Sequence, residues 1–96
     1  MKNNHMDSYL IAIEHGKNNY CAFSPDVPGC YTDGDTVEET LKNMREALEF
    51  HLEAEDSIPE PKGIAWHLQD DPDLSAQSLI FAYIPVEQVA PKMAHA

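Results

Sequence analysis

The residues with chemical potential are carboxylates and histidines. Asp26, Asp33 and Asp35 fall close together, just before a run that opens Thr36-Val-Glu-Glu39. Carboxylates that converge on one point can hold a divalent metal and activate water. That chemistry needs an acid within a central strand or on the inward face of a helix. The first strand-like run, Tyr9-Leu-Ile-Ala-Ile-Glu14, has no acid in its middle, and the apolar stripe of the helix has none. Aspartates near turns usually cap turns and helices instead. The five histidines are scattered: His15 in a turn, His51 on the helix, His67 in an irregular stretch, His5 and His95 near the ends. No HExxH pattern or ligand-spaced pair occurs. Ser24 and Cys21 lack the surroundings of an activated nucleophile. The expectation is a chain with no catalytic residue, no metal and no cofactor.

The elements that must position these side chains follow from pattern. Residues 9–14 are apolar nearly throughout, which suits a strand covered on one face and partly on the other. Gly16-Lys-Asn-Asn19 is turn chemistry, and Tyr20-Cys-Ala-Phe-Ser24 reads as a second strand. Pro25-Asp-Val-Pro-Gly29 breaks regular pairing, because proline removes a donor and glycine permits a sharp bend. A third strand, Cys30-Tyr-Thr-Asp33, ends at Gly34. Thr36-Val-Glu-Glu39 is a capping box, with Glu39 reaching back to Thr36. Glu38 and Glu39 also suit the positive end of the helix dipole. The spacing predicts a helix over residues 37–55, with Val37, Leu41, Met44, Leu48 and Leu52 on its core stripe, flanked by Ala47 and His51. Phe50 points away from that stripe. It is either a lone exposed aromatic or a contact surface.

Ser57-Ile-Pro-Glu-Pro61 ends the helix. Ile64-Ala-Trp-His-Leu68 reads as one helical turn and Asp70-Asp-Pro-Asp73 as loop. Trp66 is either a lid over the sheet or a partner anchor. Ser78-Leu-Ile-Phe-Ala-Tyr-Ile-Pro85 is a last strand. The order is β-β-β-α-β. The fold class is α+β: a three-stranded antiparallel meander plus a further strand, forming a mixed sheet with one long helix packed on it. Residues 1–8 read as a disordered leader, 9–90 as the domain and 91–96 as a disordered tail.

Ninety-six residues, 43% hydrophobic, suffice for one domain with one core. A chain this small has little room for an internal cavity, which favours recognition at the surface. Six Lys and Arg against 17 Asp and Glu give a net charge of −11. Binding nucleic acid requires cations that replace phosphate counterions. Here Lys2, Lys17, Lys42, Arg45, Lys62 and Lys92 are scattered, no two adjacent. Direct nucleic-acid contact by this chain is not expected, nor is an anionic membrane surface. A basic protein partner is favoured by field complementarity, although acidity also serves solubility alone. Cys21 and Cys30 lack zinc spacing. With no signal peptide and no apolar run near the roughly 20 residues of a membrane span, a cytoplasmic setting with reduced thiols is expected.

One segment is familiar. Tyr20, Ala22, Pro25, Asp26, Val27, Pro28, Gly29 and Cys30, followed by Gly34-Asp-Thr-Val-Glu-Glu39, resemble the HicB antitoxins. Asn43, the Glu46-Ala47 pair and Ile58-Pro-Glu-Pro61 extend the resemblance along the helix and past its end. It implies a partial ribonuclease H-like fold without the nuclease. It implies a partner, HicA, a small basic toxin that cleaves messenger RNA, whose active face the antitoxin covers. It also implies a homo-oligomer, a dimer or larger, and the apolar last strand offers an edge for pairing. Many family members continue into a DNA-binding domain. After Pro85 this sequence shows no basic segment and no further helix pattern, so promoter binding by these residues is not expected. The alternative is an orphan HicB-like domain that binds another protein or a ligand.

If a partner surface exists, its expected residues are Asp26, Asp33, Asp35, Glu38 and Glu39 beside the turn and helix start, with Trp66 as an aromatic anchor. Asp26 and Glu39 serve equally well as turn and cap residues.

Overall fold

The computed structural model describes residues 7–91. Four strands form one sheet: β1 (Ser8–His15), β2 (Tyr20–Ser24), β3 (Val27–Gly34) and β4 (Leu79–Pro85), in the order β3-β2-β1-β4. A long helix, α1 (Val37–Glu53), packs on one face. Shorter helices are α2 (Ile64–Asp70), α3 (Asp73–Ala76) and α4 (Val86–Val89).

β1 is apolar on both sides because it sits inside the sheet. It pairs antiparallel with β2 and with β4. Side chains alternate across a strand, so Tyr9, Ile11 and Ile13 join the core beneath α1, while Leu10 and Ala12 face the other way. All five are fully buried. Gly16 N–H donates to the Asn19 carbonyl at 2.7 Å and closes the first hairpin.

The Pro25-to-Gly29 segment turns more tightly than a break in pairing. Ser24 pairs with Val27, so Pro25 and Asp26 alone make the turn. Phe23 then pairs with Tyr31, and the register shift leaves a bulge around Gly29, whose φ is +88°. β3 therefore starts at Val27 and not at Cys30. The proline and glycine bend the strand without ending it.

In α1 the stripe of Met44, Leu48 and Leu52 is fully buried, with Val37, Leu41 and Ala47 at its edges. Thr40 is buried too, which its polarity conceals. Its hydroxyl donates to the Thr36 carbonyl at 2.7 Å, so the backbone satisfies it. Phe50 is 80% exposed, on the side away from the stripe. The helix ends at Glu53, where the Ala54 N–H donates to the His51 carbonyl and the Glu55 N–H to the Leu52 carbonyl, each at 3.2 Å.

The expected mixed sheet is wholly antiparallel. α1 runs from the Gly34 end of the sheet to the Ser8 end, and residues 54–78 then travel back. β4 consequently starts beside Glu14 and finishes beside Ser8. That extra crossing holds the expected helical turn and the Asp70-to-Asp73 loop. Within it α2 extends past the expected single turn to Asp70, and α3 begins at Asp73. Only four residues long, α4 carries no periodic signal, yet its Val89 is buried in the core. β1 takes in Ser8, one residue before the expected start of the domain. Residues 1–6 of the expected leader, and 92–96 of the expected tail, lie outside the described residues. Among the described residues no helix is long and apolar enough to cross a membrane.

Candidate functional site

Asp26 stands at the tip of the β2–β3 turn and points inward. Its Oδ2 accepts from the Leu10 N–H at 2.8 Å, and its Oδ1 accepts from the Lys62 N–H at 2.9 Å. His67 Nε2 lies 2.6 Å from the same Oδ1, and both side chains are almost sealed from water. One carboxylate thus ties the turn, the central strand and the crossing segment together. Close by, the Tyr9 hydroxyl donates to the Pro59 carbonyl at 2.8 Å. Burial, and secondarily the Asp26 carboxylate, push the Tyr9 phenol up to about 12. Burial also pushes up the Cys30 thiol.

The other candidate acids sit at the opposite end of the sheet. Asp33 closes β3 near the start of α1. Its side chain accepts from Asn19 Nδ2 at 3.5 Å, and its carbonyl accepts from Asn43 Nδ2 at 2.9 Å. The Glu39 N–H donates to Thr36 Oγ1 at 3.0 Å, as a capping box requires. The return contact differs by one residue: Glu39 Oε1 accepts from the Asp35 N–H at 3.2 Å, not from Thr36. Asp33, Asp35, Glu38 and Glu39 therefore share one end of the molecule, mostly exposed. Asp26 does not join them. The turn that carries it lies at the far end of β2, and its carboxylate is consumed inside the fold.

Trp66 is 45% exposed, with Lys62 Nζ 5.5 Å from its ring centre. It is not a buried lid. The neighbouring His67 is the residue that plugs into the fold. His67 carries no local signal of this role, because its partner lies 41 residues away. The nearest hint is its place between Trp66 and Leu68 in an otherwise amphipathic turn.

The sheet face turned away from α1 is partly open. Registers place Tyr31, Phe23, Ala12 and Phe81 in one row across all four strands. The Phe23 and Tyr31 rings are 6.3 Å apart, and Tyr31 is 71% exposed. The next row holds Asp33, Cys21 and Glu14. Acids and aromatics at a surface can bind cations and proteins. Among the described residues, no three His, Cys, Asp or Glu side chains assemble to hold a metal.

A family model for the HicB-like antitoxin of bacterial toxin–antitoxin systems matches residues 9–96. The chain belongs to the HicB-like antitoxin family. Its fold is similar to the N-terminal domain of the Burkholderia pseudomallei antitoxin HicB, with TM-score 0.69 and 26% identity, covering 82% of this chain and 96% of that one. It is also similar to a chain of a HicA3–HicB3 toxin–antitoxin complex, with TM-score 0.64 and 29% identity, covering 79% and 93%. In sequence it is 37% identical over 76 residues to an uncharacterised 14.9 kDa protein of Haemophilus phage HP1. That alignment takes in 79% of this chain and 48% of the phage protein. The HicB-like chain thus spans about half the length of that curated relative.

Proposed function

We propose that this chain is the toxin-binding part of an antitoxin, and that its partner is a small basic HicA-like ribonuclease. The observation that carries the reading is the match to a chain of the HicA3–HicB3 complex, 93% of which is covered. The net charge of −11 supports it, because carboxylates can occupy the field in which a ribonuclease holds RNA phosphate. The mode is steric and electrostatic occlusion, without chemistry by the antitoxin itself. Six scattered basic residues argue against direct nucleic-acid contact by this segment. The edge position of β4, with Ile80 44% exposed, supports self-association through that strand. The setting that fits a messenger-RNA-cleaving partner is the cytoplasm.

The test is co-expression with a small basic HicA-like ribonuclease, followed by an RNA-cleavage assay of that partner. A stable complex with cleavage suppressed is expected. If the basic protein cleaves RNA equally well in the presence of this chain, the antitoxin reading fails and an orphan binding domain takes its place.

A further inference from the structure

We infer that the open face of the sheet holds an arginine-binding groove, and that its occupant is an arginine side chain of the basic partner. The inference rests on the toxin-binding reading and names the surface through which that binding occurs.

The groove is lined by Glu14, Cys21, Phe23, Tyr31, Asp33 and, at its border, Gln77. Pairing fixes its layout. Cys21 stands opposite Asp33 on one side and Glu14 on the other, so the three form a row across β3, β2 and β1. Ala22 is buried against the core between Cys21 and Phe23, so the groove residues turn to the opposite face. Neighbouring strands lie about 4.8 Å apart, which puts the Asp33 and Glu14 backbones about 10 Å from each other. That gap accepts one planar cation with a donor edge toward each carboxylate. Phe23 and Tyr31, in the next row, offer aromatic surface for its stem and flat face.

No lysine or arginine lines the groove, and neither carboxylate has an ion-pair partner among the described residues. The Asp33 carboxylate has only the 3.5 Å contact from Asn19. The site is thus negatively charged and aromatic, with its counter-charge missing. Guanidinium suits it better than ammonium, being planar, weakly hydrated and able to donate in two directions. Phosphate is repelled. A second copy docked face to face would oppose its own Glu14 and Asp33 to these, with no cation between them.

Cys21 supplies a native probe, since its thiol is exposed in the middle of the row while Cys30 is buried. The experiment measures the rate of maleimide labelling of Cys21 in the whole chain, alone and with the HicA-like basic ribonuclease. Complex formation is expected to slow labelling by about tenfold or more, and Tyr31→Ala or the pair Glu14→Gln with Asp33→Asn to weaken binding by about tenfold. Glu46→Gln with Glu53→Gln removes equal charge from the helix and is expected to change affinity by less than about threefold. A complex that leaves Cys21 labelling at its free rate overturns the groove while the antitoxin reading stands. Failure of the unmodified chain to form any complex removes that reading, and the groove's occupant with it. Protection that grows with the concentration of this chain alone assigns the face to a second copy and overturns the inference.

Discussion

His67 Nε2 meets Asp26 Oδ1 at 2.6 Å across 41 residues of chain, inside the fold. The contact does more than join two side chains. Because Asp26 also accepts from the Leu10 and Lys62 amides, its removal strands three donors at once. Asp26→Ala is expected to cost about 3 to 5 kcal/mol, the range for breaking a buried charged network. His67→Phe leaves the carboxylate its two amide donors and should cost less. Urea unfolding of both variants at neutral pH checks the order, and a cost for Asp26→Ala below that of His67→Phe would contradict it.

Two glycines should respond differently to alanine. A Cβ on Gly34 would lie 2.6 Å from Thr40 Oγ1 and 2.8 Å from Thr40 N, where backbone cannot yield cheaply. A Cβ on Gly29 meets nothing closer than 3.7 Å, but its φ of +88° strains any side chain. Gly34→Ala is expected to lose about 3 kcal/mol, at the upper end for overpacking. Gly29→Ala should lose about 1 to 2 kcal/mol. Thermal melts of the two variants would show Gly34→Ala the lower.

Alkaline stability should depend on Tyr9. The unfolded phenol ionises near its ordinary value of about 10, whereas the folded one is pushed up to about 12. Between these values the unfolded chain sheds a proton that the folded chain keeps. The stabilisation is therefore complete below about pH 10 and is lost as pH rises toward about 12. Tyr9→Phe removes this dependence and also the hydrogen bond to the Pro59 carbonyl, so it should be weaker by about 1 kcal/mol at neutral pH. Unfolding free energies measured between pH 8 and pH 11 should fall less steeply for the variant than for the parent; parallel curves would refute the assignment.

The helix start makes a smaller, local contribution. Thr36→Ala removes the acceptor for the Glu39 amide and is expected to cost about 1 kcal/mol. Hydrogen exchange should quicken at Glu39 and Thr40 and stay unchanged at Leu48. Equal quickening along the whole helix would point to global loss instead.

Much of this was legible in the chain. The four strands and α1 follow from alternation, turn residues and a capping box, all of which act over a few residues. What escaped was long-range. The antiparallel placement of β4 depends on the return path of residues 54–78, and no local pattern reports a path. Asp26 looked like one acid among neighbours at the helix start, but a two-residue turn with a bulge behind it sent its carboxylate inward. Its partner His67 looked like one of five scattered histidines. Thr40 was hidden because its backbone contact lets a hydroxyl sit in an apolar stripe. Asp33, Asp35, Glu38 and Glu39 were recognisable as a group because they are contiguous around the start of one helix.

The position of β1 also sets a schedule. β2 can pair with it once the Gly16 turn has formed, but Ser8 finds its β4 partner only at Pro85 and Glu14 only at Leu79. While the ribosome is still making the crossing segment, one flank of the most apolar strand has open backbone groups, a template for any extended chain nearby. Contacts so distant in sequence form late. A nascent chain stalled before residue 79 is therefore sticky along that flank. Two such chains in the same polysome can exchange their last strands when synthesis resumes, giving interlocked pairs in place of self-contained folds.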